Sequence, residues 1–230
     1  MYKKLIFIIL ILFAVKVYAK EYAINDMVID LDSSWTVVTR DNIKGNKLFK
    51  IINITEKDYE NYMKENSVYL NAVKINKNNT ISEDILICYD KISDVKNLNN
   101  YDTEYIVNES NKIAKSILDE GVTVINNGSY ENELYKYIYI HYKDADKYVY
   151  FYQTGINGNA YLTMISTTKK IDTESMEYYR KNIIDKIKYN QDDTLVEGEE
   201  KTNGSYGILI IFVILIMVII IRIITKKKKD

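Results

Sequence analysis

Residue types that carry much of protein chemistry are scarce in this sequence of 230 residues, which has no proline, one cysteine and one histidine. The single cysteine, Cys88, excludes an intramolecular disulfide. One cysteine and one histidine, His141, cannot by themselves form a zinc cluster. The chain also contains no Gly-rich phosphate-binding loop and no G-x-S-x-G motif. These absences argue against zinc, nucleotide and serine-nucleophile chemistry.

A few residues are of types found in active sites or metal sites, but a structural role explains each of them better. His141 lies among tyrosines in IYIHYKD, and Cys88 lies in the apolar stretch DILICYD. We interpret the first as a hydrogen-bonded strand residue and the second as inert packing rather than a reactive or lipidated thiol. Asp144 and Asp146 have the spacing of a calcium loop, but the glycine and the distal glutamate are missing, so a turn is favoured. We therefore predict no catalytic, cofactor-binding or metal-binding residues and no cofactor.

Charge is unevenly distributed along the chain. Residues 20–205 carry a net charge of −8, whereas the two ends together carry +7. An acidic middle argues against nucleic acid or an anionic lipid surface as a partner. The 22 tyrosines would suit a surface that stacks on carbohydrate. The accompanying excess of isoleucine, asparagine and lysine is typical of an AT-rich genome, and we prefer that interpretation.

The C-terminal end predicts one membrane-spanning helix. Residues 208–221 are all apolar, and the twenty residues 206–225 are long enough for a hydrocarbon core of about 30 Å. A buried core helix is the alternative, but no polar face marks one. The expected anchoring residues are Tyr206 and Arg222 at the two interfaces, followed by Lys226, Lys227, Lys228 and Lys229 in the tail 226–230. The positive-inside rule places those lysines in the cytoplasm.

The N-terminal end has the pattern of a signal peptide, residues 1–19. Two lysines precede the apolar run 5–15, and a small-x-small-like site predicts cleavage between Ala19 and Lys20. An uncleaved signal anchor is the alternative, and it would leave the same middle exposed. We thus expect an extracytoplasmic domain over 20–190 and an acidic linker over 191–205.

The middle of the chain predicts helices and strands in alternation. Trp35, Val37 and Val38 indicate a first strand, and the segment 84–90 indicates a buried one. Helices are expected within 54–73, 101–121 and 172–190, capped by Thr55, by Asp102 or Thr103, and by Asp172 respectively. Residues expected on the apolar faces are Tyr59, Tyr62, Met63, Asn66 and Leu70 in the first helix, Ile106, Ile113, Ala114 and Ile117 in the second, and Met176, Tyr179, Ile183 and Ile187 in the third.

Turn chemistry divides the segment 121–167 into an antiparallel meander. Asn127-Gly128 and Asn157-Gly158 favour tight turns, and residues 143–147 supply another. Strands are expected over 134–142 and 148–154, where tyrosine, isoleucine and valine dominate. We therefore predict an α+β fold, in which one antiparallel sheet is covered by about three helices.

Three segments carry a family resemblance. WTVVTRDN at 35–42, YMKENSVYLNAV at 62–73 and IIDKIKYN at 183–190 resemble uncharacterised exported, membrane-anchored proteins of low-GC Gram-positive bacteria. Their domain order is similar to the PsbP-like fold, an α/β/α sandwich. The resemblance covers about Ile29 to Asn190. It implies a domain for binding or assembly rather than an enzyme, and it brings no catalytic residues.

Two function classes follow from these observations. The first is a single-pass, membrane-anchored binding or interaction module at the cell surface, whose partners would be the lipid bilayer and another envelope protein or surface ligand. The alternative is a cell-surface hydrolase using a carboxylate pair that the sequence does not single out. Five N-x-S/T triplets and the tail KKKD would also fit a eukaryotic host. The resemblance favours a bacterium.

Overall fold

The computed structural model describes residues 19–91, 97–119 and 121–190. The strands are β1 (Lys20–Ile24), β2 (Met27–Leu31), β3 (Thr36–Thr39), β4 (Val68–Ile75), β5 (Ile81–Lys91), β6 (Thr123–Glu131), β7 (Lys136–Asp144), β8 (Lys147–Ile156), β9 (Asn159–Thr167) and β10 (Ile187–Tyr189). The helices are α1 (Leu48–Ile52), α2 (Glu56–Glu65), α3 (Thr103–Asp119) and α4 (Thr173–Asn182), with 3₁₀ turns at Leu98–Asn100 and Ile184–Lys186.

The strands form two antiparallel sheets. The larger has seven strands in the order β3-β4-β5-β9-β8-β7-β6, and the smaller has three in the order β1-β2-β10. The predicted α+β organisation with antiparallel pairing is confirmed, but the expectation of a single sheet is wrong. Strand β10, near the end of the domain, pairs with β2 near its start. Such a long-range pairing leaves no periodic signal in either segment.

The seven-stranded sheet separates two cores because successive strand residues point to opposite faces. On β8, Val149 and Phe151 pack in the core that includes residues of α1, α2 and α3. Tyr150 and Tyr152 of the same strand pack in the other core, which includes residues of α4 and the small sheet. The molecule is therefore layered as helices, large sheet, and small sheet with α4.

Helix ends follow the predicted caps. The backbone N–H of Tyr105 donates to Asp102 Oδ1 over 2.7 Å at the start of α3. In α4, Asp172 and Ser175 cap each other reciprocally. The predicted apolar face of α3 is buried, as expected: its members are Ile106, Ile113, Ala114 and Ile117.

The first and last predicted helices are shorter than expected. Helix α2 ends at Glu65, because Ser67 takes a left-handed conformation with φ 49° and turns the chain into β4. Leu70 therefore lies on a strand, where it is buried, and not on a helix face. Helix α4 ends at Asn182, and Ile187 likewise belongs to β10, opposite Ile29.

One predicted turn is wrong and two are confirmed. Asn127 and Gly128 lie inside β6, and the hairpin reverses instead at residues 132–135, where Asn132 Oδ1 accepts from the N–H of Leu134 and of Tyr135. The Asn127 side chain donates to Ser110 and Asn111 of α3, a tertiary contact that replaces turn formation. The turns predicted at Asn157-Gly158 and within residues 143–147 are present, with positive φ at Asn157, Gly158 and Ala145.

The predicted membrane-associated segments fall mostly outside the described residues. These segments are the signal peptide up to residue 18, the linker 191–205, the span 206–225 and the tail 226–230. None of the helices within the described residues has both the length and the hydrophobicity that a membrane span requires. At the predicted cleavage site, Ala19 and Lys20 are both exposed, and Lys20 begins β1.

Candidate functional site

The most distinctive polar arrangement in the domain surrounds Arg180 of α4. Its guanidinium lies over side chains that β6, β7 and β8 present on one face of the large sheet, among them Tyr130, Tyr139 and Tyr152. We call Arg180, these three tyrosines and His141 the Arg180 site. Alternation along each strand places the sheet residues on this face, and the register sets Tyr139 opposite Tyr152.

The guanidinium of Arg180 is held by rings and by one hydrogen bond. Its central carbon lies 4.5 Å from the ring centroid of Tyr130 and 5.1 Å from that of Tyr139. Its Nε donates to the hydroxyl of Tyr152 over 3.2 Å. Such cation–π contacts favour a guanidinium over a flexible ammonium at this position.

The outer end of the Arg180 side chain is uncommitted. Among residues 19–91, 97–119 and 121–190, it forms no ion pair. Its two terminal amino groups likewise donate no hydrogen bond to any described residue. A half-buried guanidinium that is fixed in place, with both of these groups free, is suited to bidentate recognition of a carboxylate.

His141 lies beneath this arrangement and is fully buried, with 0% of its surface exposed. Its Nε2 atom lies 3.1 Å from the hydroxyl oxygen of Tyr152. Burial, reinforced by the positive charge of Arg180, lowers the pKa of His141 to about 3. A neutral, inaccessible imidazole does not have the exposure that a general base needs. Tyr139 lies on the same face of the sheet, and its ring centroid is 4.8 Å from that of His141.

Tyr130 is locked in place by the turn that follows α4. Its hydroxyl donates to Asp185 Oδ1 over 2.7 Å, and Asn132 Nδ2 donates to the same oxygen over 3.1 Å. Burial, followed by the hydrogen bond to Asp185, raises the pKa of Tyr130. The ring under Arg180 therefore has a fixed orientation before any ligand arrives, which lowers the entropy cost of binding.

Gly128 makes room for the second ring. A Cβ atom at this position would lie 3.2 Å from Cε1 and the hydroxyl oxygen of Tyr139. Gly128 and Tyr139 are register partners on β6 and β7. The glycine that looked like a turn residue thus allows the tyrosine ring to cover the backbone of β6.

The other residues considered from sequence lie apart from this site. Cys88 is a buried free thiol in the core against α1–α3, and burial raises its pKa to about 12, as expected for inert packing. Asp144 is the last residue of β7 and Asp146 lies in the following turn. No group of three or more His, Cys, Asp or Glu within the described residues could hold a metal ion.

Two carboxylates of β5, the buried Glu83 and the half-buried Asp84, belong to separate networks. Glu83 accepts a hydrogen bond from Lys74 over 2.8 Å and lies 3.4 Å from Lys169. Asp84, whose pKa is raised by burial, accepts from the amide of Asn71. Because the two acids are adjacent on a strand, they point to opposite faces of the sheet. They do not converge on one substrate position.

Sequence reasoning missed Arg180 itself. In the predicted helix within 172–190, Arg180 is one of several charged residues that the pattern places on a solvent-exposed face. The sequence did hold one signal, the two-residue spacing of aromatic side chains along two neighbouring strands: Tyr137, Tyr139 and His141 on β7, and Tyr150 and Tyr152 on β8. This spacing predicts one sheet face of aromatic rings whose polar atoms need hydrogen-bond partners. The sequence does not show which helix residue covers that face.

No family model matches the chain, and no curated protein matches it. Among solved structures, it is similar to the solution structure of cyanobacterial PsbP (CyanoP) from Synechocystis sp. PCC 6803, with 11% sequence identity and a TM-score of 0.49. The match covers 77% of this chain and 96% of that chain. The match concerns the fold alone, and no residue role is transferred from it.

Proposed function

We propose that the protein is a single-pass membrane protein whose α+β domain, residues 20–190, is an extracytoplasmic binding module. The apolar stretch 206–225 and the lysines that follow it support the anchoring and its direction. The N-terminal signal pattern supports export of the domain. The bilayer is then one partner, and a second envelope protein or surface ligand is the other.

The observation that carries the binding role is the geometry at Arg180. The guanidinium is held over the rings of Tyr130 and Tyr139, while its outer end is free of any described carboxylate. This arrangement favours recognition, because it offers an oriented charge with little reorganisation. By contrast, His141 and Cys88, the two residues best suited to covalent or acid–base chemistry, are buried in their uncharged forms.

The test is a comparison of strains that carry single changes in the native gene. Arg180→Gln should reproduce most of the phenotype of a full deletion, and so should a truncation before Tyr206, which releases the domain from the membrane. Lys181→Gln is the matched control, since it removes the same charge from an exposed neighbouring position. Protein abundance is measured in every strain by immunoblotting.

Each outcome separates the binding role from the hydrolase alternative. A normal phenotype for Arg180→Gln at normal abundance would contradict the proposed site. A phenotype that instead appears when individual acidic residues of the domain are replaced by their amides, with Arg180 intact, would favour a hydrolase.

A further inference from the structure

Strand β6 is a long free edge of the large sheet. It is the last strand in the order and has nine residues, whereas β3 at the opposite edge has four. Half of its backbone N–H and C=O groups point away from β7, and no described strand pairs with them. Such an edge is a template for another strand unless it is protected.

The protection of this edge is partial: a bulge lies near its start and the charged Glu131 at its end, and both features hinder strand pairing. The sequence of β6, TVINNGSYE, contains neither lysine nor proline, the residues that most often prevent pairing. A bulge between Val124 and Asn126 leaves Ile125 without a register partner, and this side chain is 43% exposed. An apolar side chain therefore stands at one end of the edge.

Arg180 stands near the other end of the same edge. Its guanidinium lies over the ring of Tyr130, which is itself a residue of β6. A side chain directly opposite Tyr130 on an added strand would have its Cβ about 4.5–5.5 Å from the Cβ of Tyr130 on the same face. An acidic side chain at that position would reach the free amino groups of Arg180.

We propose that the β6 edge binds an extended peptide segment by strand addition, and that Arg180 selects a segment with an acidic side chain. This inference rests on the proposed binding function and names its ligand class. The five-residue step from Ile125 to Tyr130 corresponds to about 17 Å of strand, so about six residues of peptide would span both features. Backbone hydrogen bonds supply affinity in this mode, and the side-chain contacts supply specificity.

The experiment uses the full chain in detergent micelles and a labelled, terminally blocked hexapeptide. The peptide alternates valine and threonine and carries one glutamate at its end; a twin carries glutamine instead. Fluorescence anisotropy should show the glutamate peptide binding about tenfold more tightly than its twin, the factor expected for one charge-assisted contact. Arg180→Gln should abolish that preference, Arg180→Lys should restore only part of it, and Lys181→Gln should leave it unchanged.

Hydrogen exchange then locates the peptide. Added peptide should slow amide exchange in β6 and leave the other edge strand, β3, unaffected. No binding at millimolar peptide, equal affinity for the twins, or protection elsewhere in the domain would overturn the proposal. Slow exchange of the β6 amides without added peptide would also overturn it. If that protection depends on protein concentration, a second copy of the chain occupies the edge. If it does not, another segment of the same chain occupies it. Membrane orientation plays no part in this assay. A negative result would therefore count against strand addition at β6 and not against the proposed localisation.

Discussion

His141 and Tyr152 lie on the neighbouring strands β7 and β8, with 3.1 Å between the imidazole Nε2 and the tyrosine hydroxyl oxygen. Arg180 donates to that same oxygen. Because an arginine only donates, the hydroxyl proton of Tyr152 is free to point to Nε2. Burial raises the pKa of Tyr152 to about 12, so the hydroxyl keeps this proton. The three side chains form a short polar chain that ends in a neutral imidazole.

The acid sensitivity of folding should depend on His141. Its pKa is about 3 in the folded domain and about 6.5 when exposed, so below pH 6.5 the unfolded chain binds the additional proton. The free energy of unfolding should therefore fall from pH 6.5 towards pH 3, beyond the contribution of carboxylates. His141→Gln should cost on the order of 1–3 kcal/mol at neutral pH, because a buried hydrogen-bonded group is replaced.

Urea unfolding followed by the fluorescence of Trp35, the single tryptophan, measures both effects in the full chain. The His141→Gln variant should lose stability less steeply than the wild type between pH 6.5 and pH 4. Identical slopes for the two proteins would show that His141 is not the residue responsible.

Gly128→Ala should destabilise the domain by about 1 kcal/mol or more, because the new methyl group would press on the ring of Tyr139. In a Tyr139→Leu background this cost should shrink. Gly45→Ala is the matched control: its φ of +76° makes any side chain strained, and no atom lies within 4 Å of the new Cβ. The destabilisation caused by Gly45→Ala should be the same with and without Tyr139→Leu. If the destabilisation caused by Gly128→Ala is also unchanged by Tyr139→Leu, the proposed contact with the ring is refuted.

Cys88 should resist alkylation while the protein is folded. The thiol is buried, and its pKa of about 12 leaves almost no thiolate at pH 8. We expect a maleimide reagent to label the unfolded protein in urea within minutes and the folded protein far more slowly. Mass spectrometry of the intact chain gives the labelled fraction, and rapid labelling without denaturant would place the thiol at the surface.

The sequence allowed good prediction wherever the determinants are local. The cap at Asp172, the apolar face of α3 and the turn at Asn157-Gly158 follow from neighbouring residues alone. Prediction failed where distant segments decide the outcome. The turn expected at Asn127-Gly128 is absent, because Asn127 bonds to α3 and Gly128 is covered by a ring from β7.

The candidate site illustrates the same limit. The two-residue period of a strand is enough to predict that Tyr139 and His141 share a face of the sheet. It does not predict which helix residue packs over that face. Arg180 reaches that face only because α4 crosses the sheet there, and α4 is placed by the packing of Tyr179 against Tyr150, whose ring centroids are 4.7 Å apart. The division into two sheets likewise depends on the pairing of β10 with β2, more than 150 residues away in sequence.

The most direct test of the account is the side of the membrane on which the domain lies. Protease is added to intact cells, or to protoplasts, that produce the full chain with a C-terminal epitope. We predict that the fragment containing Trp35 disappears while a small C-terminal fragment carrying residues 206–230 stays protected until the membrane is dissolved. Survival of the intact domain in unbroken cells, with loss of the epitope instead, would contradict an extracytoplasmic binding module.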